Sequence, residues 1–556
     1  MSRPDPSLRT TSVAALLFVA VIVVAPFALR GVACGHDLTF HMDSWMEVAQ
    51  QWRQGVFYPR WAPNANYGSG EPRFLFYPPL SWMLGGALGS VIPWIFAPVA
   101  FDMCAVFLAG FAMLKMAREW FEEPDATLIA IAYAINPYML LTIYARSAVA
   151  EELASAFFPL LVLWTVRERP ARQMFLPLAL TMAGIWLSDV PAAIIATYLA
   201  LLLIVTVTVL RRNSRVFLWG AGAIGMGFLL AAFYIVPVLY ERSWINLGQV
   251  LSTGVRPAEN FLFARTGGVE HDSFIRALSW LAVGQIGITA VAILAERKWR
   301  PISARLWWSL AVSFLVALVL TLPMSGFLYR LTPDLRFVQF PWRWLLVTGL
   351  AYAVFVVVAM PAFASKASLY LPLFVGLIVL CNLKLQPQCG PDGTPFMISK
   401  VFYTGYGYMG MDEYVPATGD NYEIKPDFPE YRVRGENGGA APNGAHVTTW
   451  KTSTYHKQLT VESPQAAEVV LRLMNYPAWQ VEVNGLRVTA EPDHPTGRMV
   501  IALPAGRSEV DVRFVRTPDR WVGNALSTLA FIFLLQFWYG ERKREFSRKK
   551  QLVISN

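Results

Sequence analysis

Charge is what this sequence has least of. Only 15% of its 556 residues are Asp, Glu, Lys or Arg, against 55% hydrophobic, and mean hydropathy is +0.41. That balance argues against a water-soluble globule and places the chain among polytopic membrane proteins. Cysteine is scarce too. The four present (Cys34, Cys104, Cys381, Cys389) have no C-x-x-C spacing, which argues against a zinc site. There is no G-x4-G-K-S/T phosphate loop, which argues against ATP-driven transport by this chain. H-E-x-x-H and a Ser or Cys nucleophile motif are also missing. Nor is there an internal repeat or a low-complexity stretch. The net charge of +9 comes from short basic clusters set between apolar runs, the pattern of cytoplasmic loops, so no nucleic-acid partner follows.

Apolar runs are abundant. They recur near 12–29, 78–97, 98–117, 126–144, 152–166, 174–188, 190–210, 216–239, 275–295, 306–322, 342–362, 369–385 and 521–539. The first follows Arg3 and Arg9 and is long for a signal-peptide core, so it is expected to remain as an uncleaved span. The clusters Arg167/Arg169/Arg172, Arg211/Arg212/Arg215, Arg297/Lys298/Arg300/Arg305 and the tail Arg542-Lys543-Arg544…Arg548-Lys549-Lys550 should all face the cytoplasm. They agree with Lys115 and Arg118 inside only if 78–117 crosses once in net terms, with the Pro78-Pro79 segment dipping into the outer leaflet or lying along it. The expectation is therefore about 12 spans plus one membrane-dipping segment. The transmembrane domain covers 1–385, with a first external loop at 31–77.

From 386 to 518 the composition changes. A Gly- and Tyr-rich lead-in containing Tyr403, Tyr406, Tyr408 and Tyr414 precedes alternating stretches such as HVTTWKT, AEVVLRLM, WQVEV and RMVIAL. Period-two alternation and the Asn484-Gly485 hairpin signal predict an external β-sandwich, followed by a final span at 519–540 and a basic cytoplasmic tail at 541–556. Its three histidines, His446, His456 and His494, are spread apart, so the domain is expected not to be catalytic. The lead-in tyrosines can stack on sugars or pack the segment onto the membrane core. Cys34 and Cys389, both outside the apolar runs, can pair in an oxidising compartment.

Titratable groups concentrate in the first external loop, at His36, Asp37, His41, Asp43 and Glu47. On a helix over 41–53, His41, Trp45 and Val48 share one face, and Asp43 and Glu47 another. A carboxylate beside the bilayer can act as a general base toward a hydroxyl or hold a divalent cation. Asp37 is the first candidate, with His36, His41 and Asp43 as binding residues and Glu47 as solvated surface. Tyr144-Ala-Arg146-Ser-Ala-Val-Ala-Glu151-Glu152 forms a second acidic site, in which Glu151 is favoured. Arg336, Gln339 and Arg343 form a third cluster suited to a phosphate or pyrophosphate, with Arg60 and Arg73 as weaker candidates of the same kind. Asp189 reads as a tight external turn.

The pattern G-x-D-x3-H at Gly35/Asp37/His41 and the PRW…G-x-G-x-P…FYPPL run resemble the GT-C superfamily of polytopic glycosyltransferases. With NPY…YARSAVAEELA and QFPWRW, they are most similar to its bacterial membrane proteins labelled 6-pyruvoyl-tetrahydropterin synthase-related. EYVP and YPAWQVEVNG resemble the YfhO-like membrane proteins. The resemblance implies transfer of a sugar from a lipid phosphate-linked donor to an external glycan, lipid or protein acceptor. In that reading Asp37 matches the first-loop acid/base position and Glu151 the second-loop acidic position. Tyr77, His36, His41, Asp43, Arg60, Arg146, Arg336, Gln339 and Arg343 are the expected substrate-binding residues. His36-Asp37 replaces the paired acidic residues common in the superfamily, so a divalent cation (Mg2+ or Mn2+) on Asp37 and Glu151 stays open. The other readings are a lipid or glycan flippase using the same pocket for passage, and a non-catalytic cell-envelope assembly factor. The expected location is the bacterial cytoplasmic membrane, with the site facing outside.

Overall fold

The computed structural model describes residues 6–299, 302–359 and 367–554. The basic residues Arg3, Arg9, Arg297, Lys298, Arg300, Arg548, Lys549 and Lys550 lie outside the side chains described. Among the described residues, eight helices are long and apolar enough to cross a bilayer: Thr10–Arg30, Trp94–Ala117, Asp125–Arg146, Val149–Val166, Val190–Arg211, Val269–Ala295, Pro341–Val358 and Pro518–Arg544. Four further runs account for the difference from the expected dozen. The pairs Ser214–Leu230 with Ala232–Trp244 and Ala304–Leu320 with Pro323–Leu331 are bent by 72° and 85°. Helix Phe175–Trp186 falls short of span length, and helix Ala367–Leu385 has 19 residues, of which the apolar stretch Pro372–Leu385 has its side chains described.

The segment expected to dip is a 13-residue helix, Pro79–Val91. At 1.5 Å per residue it reaches about 20 Å, less than the roughly 30 Å hydrocarbon core. It lies on helix Leu38–Arg53 of the first external loop, and two glycines permit the approach. A Cβ on Gly85 would sit 2.1 Å from the Trp45 ring, and one on Gly86 would meet Val48 at 3.0 Å.

The basic residues gather at one end of the bundle. Arg118 pairs with Glu123, Arg172 with Glu541 and Arg305 with Glu168, while Arg211 donates to the Arg167 and Arg169 carbonyls. Lys115 lies over the Trp164 ring and joins these groups into one polar end. The candidate site lies at the other end.

The C-terminal domain is a sandwich of two antiparallel sheets. The first, in order β1-β4-β8-β7, contains Tyr431–Gly435 (β1), Ala467–Met474 (β4), Glu491–Asp493 (β7) and Arg498–Leu503 (β8). The second, in order β2-β3-β9-β5-β6, contains His446–Thr452 (β2), His456–Ser463 (β3), Trp479–Val483 (β5), Leu486–Val488 (β6) and Gly506–Phe514 (β9). Asn484 and Gly485 both take positive φ between β5 and β6, as a tight two-residue hairpin requires. Leu459, Val461, Val469, Leu471, Val481, Ile501, Val510 and Val512 face the interior between the sheets.

This sandwich does not hang from its last span alone. Trp61 of the first loop enters its core and touches the rings of Tyr476, Trp479 and Phe514. The Tyr455 hydroxyl accepts from the Arg60 amide at 2.8 Å and donates to Gln51 at 2.7 Å. Beneath the sandwich, the buried Glu241 carboxylate takes Arg520 at 2.8 and 3.0 Å and the Tyr476 hydroxyl. These contacts bind the membrane helices, the sandwich and the final span together.

Candidate functional site

Asp37 begins helix Leu38–Arg53, and its backbone is clamped before its side chain is placed. Its amide donates to the Arg146 carbonyl at 3.0 Å, and the Gly35 amide donates to the Ser147 hydroxyl at 3.1 Å. Ser147 in turn donates to the Ala33 carbonyl at 3.0 Å. Gly35 is required here, because a Cβ would sit 2.2 Å from the Arg146 carbonyl carbon. One residue further upstream, Cys34 is disulfide-bonded to Cys389, with Cα atoms 5.0 Å apart. The first loop is therefore pinned to the 142–148 turn on one side and to the end of the membrane domain on the other.

The turn itself departs from regular helix. Thr142–Arg146 winds as a π-helix and Ser147 takes a left-handed conformation (φ 52°). Such geometry is uncommon for a non-glycine residue and collects at functional sites. It delivers Arg146 to the centre of the site. The Arg146 guanidinium lies 3.8 Å from the Asp37 carboxylate and 2.6 Å from Glu151, and stacks 4.7 Å over the Trp342 ring. Glu151 is 1% exposed and is fully engaged. Besides Arg146, it takes Arg343 Nε at 3.1 Å and the Tyr138 hydroxyl. Arg343 also donates to the Val338 carbonyl at 2.9 Å and to Gln339 at 3.3 Å, and stacks on Phe340. Gln339, at φ 59°, is a second non-glycine residue held at positive φ, and its amide reaches the Val250 carbonyl at 3.0 Å.

Two guanidiniums thus share one buried carboxylate, while Asp37, with 41% of its side chain exposed, stands at the edge. Around it are aromatic and neutral groups. His36 meets Phe274 edge-on at 5.2 Å, and burial lowers its pKa against the pull of Asp37. His41 is packed among Phe40, Trp45 and Tyr77, where burial lowers its pKa to about 4 and keeps the imidazole neutral. Tyr77 lies within electrostatic reach of Asp189, Asp37 and Arg343, and burial raises its phenol well above the usual value. Asp189 caps helix Val190–Arg211 by accepting from the Ala192 amide at 2.8 Å; burial raises its carboxyl to about 6.

Asp37, Glu151, Arg146, Arg343, Gln339, Tyr77, His36 and His41 are thereby brought together. Three other expected binding residues are not. Arg60 stacks on Tyr58 under the sandwich, near Arg520 and Glu241. Arg336, in the 3-10 helix Pro333–Val338, is exposed and, among the described residues, donates to the Pro333 carbonyl at 3.4 Å rather than joining Arg343. Asp43 faces the opposite side of its helix, toward Arg73 and Glu71, and burial raises its carboxyl to about 7.

Glu47 is not solvated surface. It is fully buried, accepts from the Asn64 amide at 2.8 Å and from Tyr408 at 3.1 Å, and is pushed up to about 8 by burial. Arg73 is bound 2.6 Å from Glu71 and has no free face for a phosphate. Tyr408 is buried on this cluster, while Tyr403 and Tyr406 are exposed. Helical periodicity placed these groups on the correct face, but not what would cover that face. The lead-in 404–411 supplies the cover.

The donor set does not suit a divalent cation. Both Glu151 oxygens are taken by two cations and a phenol, and Asp37 is separated from it by the Arg146 charge. Among the described residues no group of three or more His, Cys, Asp or Glu converges elsewhere. Tyr138, Ser147 and Phe274 were not among the expected site residues, and Trp342 lies in the QFPWRW stretch beside Arg343. Tyr138 and Ser147 lie inside the quoted NPY…YARSAVAEELA stretch, whereas Phe274 has no local signal.

No family model matches the chain. An uncharacterized protein of Lactococcus lactis subsp. cremoris (strain MG1363) is 22% identical over 271 residues, 46% of this chain and 42% of the relative. The chain thus spans less than half the length of that relative. Among solved structures, the arabinofuranosyltransferase AftD from Mycobacteria is similar at TM-score 0.39 and 16% identity, over 73% of this chain and 27% of that one. The oligosaccharyltransferase AglB from Archaeoglobus fulgidus, in complex with an inhibitory peptide and a dolichol-phosphate, is similar at TM-score 0.36 and 14% identity, over 74% of this chain and 57% of that one. What the site can do is read from the residues of this chain.

Proposed function

We propose that the protein is an integral-membrane glycosyltransferase of GT-C type that moves a sugar from a polyprenyl-phosphate donor to an acceptor outside the cytoplasmic membrane. The observation that carries this reading is the pairing of a half-exposed Asp37 with Arg146, itself braced to Arg343 through Glu151. Arg146 and Arg343 do not offer free faces, but together with the one carboxylate of Glu151 they leave a net positive charge behind Asp37, which favours the phosphate of a lipid-linked sugar arriving at the exposed edge, whose negative charge grows as the glycosidic bond breaks. Asp37 takes the proton of the acceptor hydroxyl. The acceptor oxygen bonds to the anomeric carbon, the bond from that carbon to the phosphate oxygen breaks, and polyprenyl phosphate leaves with inversion at the sugar. Glu151 serves as the counter-ion that holds both arginines, and His36, His41 and Tyr77 line the acceptor side as neutral groups. No step requires a metal ion.

Location outside is supported by two features. A Cys34–Cys389 disulfide fits an oxidising compartment, and the basic residues lie at the opposite end of the bundle, as cytoplasmic loops do. An apolar cavity of about 370 Å³ between Gly287 and Val356 lies toward that opposite end, so it does not adjoin the arginines. The test is incubation of purified protein in nanodiscs with radiolabelled polyprenyl-phosphate sugars and soluble glycan acceptors. Transfer is expected, and Asp37→Asn should lower it by roughly 10²–10⁴, the usual worth of a general base. Undiminished transfer in a folded Asp37→Asn variant removes Asp37 from the chemistry.

A further inference from the structure

Outward from the arginines, the loop after helix Ala232–Glu241 meets the lead-in to the sandwich. The meeting is ordered: Ile245 bridges Pro416, and the Asn246 amide donates to the Val415 carbonyl at 2.9 Å. Between the two segments lies a cavity of about 140 Å³, lined by Asn246, Gln249, Asp412, Asp420, Asn421 and Tyr422. At about 30 Å³ per water this is the space of four or five waters, which is about one sugar ring.

The chemistry of the lining is selective. No Lys, Arg or His contributes to it, so nothing there attracts a phosphate or carboxylate. Asp412 is already committed, with one oxygen accepting from Asn421 at 2.9 Å and the other from the Tyr422 hydroxyl at 2.9 Å. The side-chain amides of Asn246 and Gln249 bond to no other described residue, and each offers both a donor and an acceptor. Tyr422 is 70% exposed, yet its ring is fixed by that bond to Asp412, leaving an aromatic face free beside the amides. Paired donors and acceptors next to a rigid aromatic face match the vicinal hydroxyls and C–H face of a neutral sugar.

The cavity also communicates with the site. The 3-10 helix Leu247–Leu251 that carries Gln249 also carries the Val250 carbonyl, which accepts from Gln339, and Gln339 accepts from Arg343. Tyr414, two residues from Asp412, packs on Phe40 and Phe76, and Phe40 packs on Tyr77.

We propose that this cavity is a carbohydrate subsite holding one neutral sugar residue of a glycan acceptor. It rests on the transferase reading only for calling that glycan the acceptor. A division of labour follows: the positive charge of the arginine pair serves the anionic donor, and a cavity without basic side chains, one layer outward, takes the acceptor.

The experiment is saturation-transfer NMR on the full chain in nanodiscs, with soluble neutral tetrasaccharides of glucose, galactose, mannose and arabinose as probes. At least one is expected to bind saturably. Losing either amide, in Asn246→Ala or Gln249→Ala, should weaken it roughly fivefold, the worth of one neutral hydrogen bond. Tyr422→Ala should weaken it by on the order of tenfold through loss of the ring face. Tyr422→Phe keeps the ring but loses the bond to Asp412 that holds it, so it should weaken binding less than Tyr422→Ala does, and unchanged melting temperatures exclude a folding defect. Absence of binding by every tetrasaccharide, or binding that all three alanine variants leave intact, overturns the subsite. Preferential binding of a glucuronate-containing or phosphorylated tetrasaccharide likewise overturns it. Neutral-sugar binding sensitive to these variants, in a protein that transfers no sugar, would uphold the subsite and defeat the transferase reading.

Discussion

Replacing Glu151 by Gln tests whether its role is to hold charge or to move protons. The carboxylate is 1% exposed and its two guanidinium partners are 3% and 8% exposed, so all three ions have left water. Neutralising Glu151 removes the charge assistance from bonds of 2.6 and 3.1 Å and leaves two buried cations, of which Arg146 keeps Asp37 at 3.8 Å, partly in solvent. Breaking a buried pair in this way costs about 3–5 kcal/mol, because the partner charge is left uncompensated. Glu151→Gln should therefore lower the melting temperature of the detergent-purified protein, followed by intrinsic tryptophan fluorescence, by several degrees. Arg343→Gln in the same background should recover part of the loss, since one of the two orphaned cations is then gone. A single variant that melts with the parent but transfers no sugar would refute the structural role and assign Glu151 to proton transfer.

Four further outcomes are expected. Asp43 and Glu47 have folded-state values raised to about 7 and about 8 by burial, so their contribution to stability is full below the ordinary carboxyl range and is lost as pH rises through 7 to 8. Melting curves between pH 5 and 8.5 should show this decline, and Asp43→Asn with Glu47→Gln should flatten it. His41 acts oppositely, because burial lowers it to about 4; its contribution is lost as pH falls from about 6.5 toward 4, and His41→Phe should weaken acid sensitivity in that window. Gly35→Ala drives a methyl into the Arg146–Ser147 backbone, an overpacking worth about 1–3 kcal/mol, and should lower transfer by moving Asp37 while the sandwich keeps its protease resistance. Cys34 and Cys389 should react with a membrane-impermeant maleimide on intact cells only after reduction; labelling without reductant would refute the pair.

The docking of Trp61 also changes how the sandwich can be tested. Its core is completed by the first external loop, so exchange of 386–518 for a flexible linker would leave Trp61 without its ring partners and take Tyr476 from the Glu241–Arg520 pair. Loss of transfer in such a variant would report this shared core as well as any guiding role. Point changes at the Asn246–Tyr422 cavity are the cleaner probe.

The local rules of this chain were readable in one dimension. A paucity of charge with recurrent continuous apolar runs specifies helices in lipid, since a helix satisfies its own peptide groups there and the runs lack the alternation of a barrel strand. Alternation in Trp479–Val483 and the Asn484-Gly485 turn specify half-buried strands and their hairpin, because side chains alternate about a strand and only certain residues take positive φ. Asp37, Arg146, Glu151 and Arg343 stood out because ions beside a bilayer need a reason. What lay beyond the sequence was which ion meets which. Arg343 reaches Glu151 across 192 positions, Cys34 reaches Cys389 across 355, and Glu47 is sealed by Tyr408 across 361. Whether an arginine is a free phosphate ligand, like the expectation for Arg73, or the buried partner of a glutamate depends on desolvation by distant segments. That desolvation is a property of packed volume, and only the tertiary structure decides it.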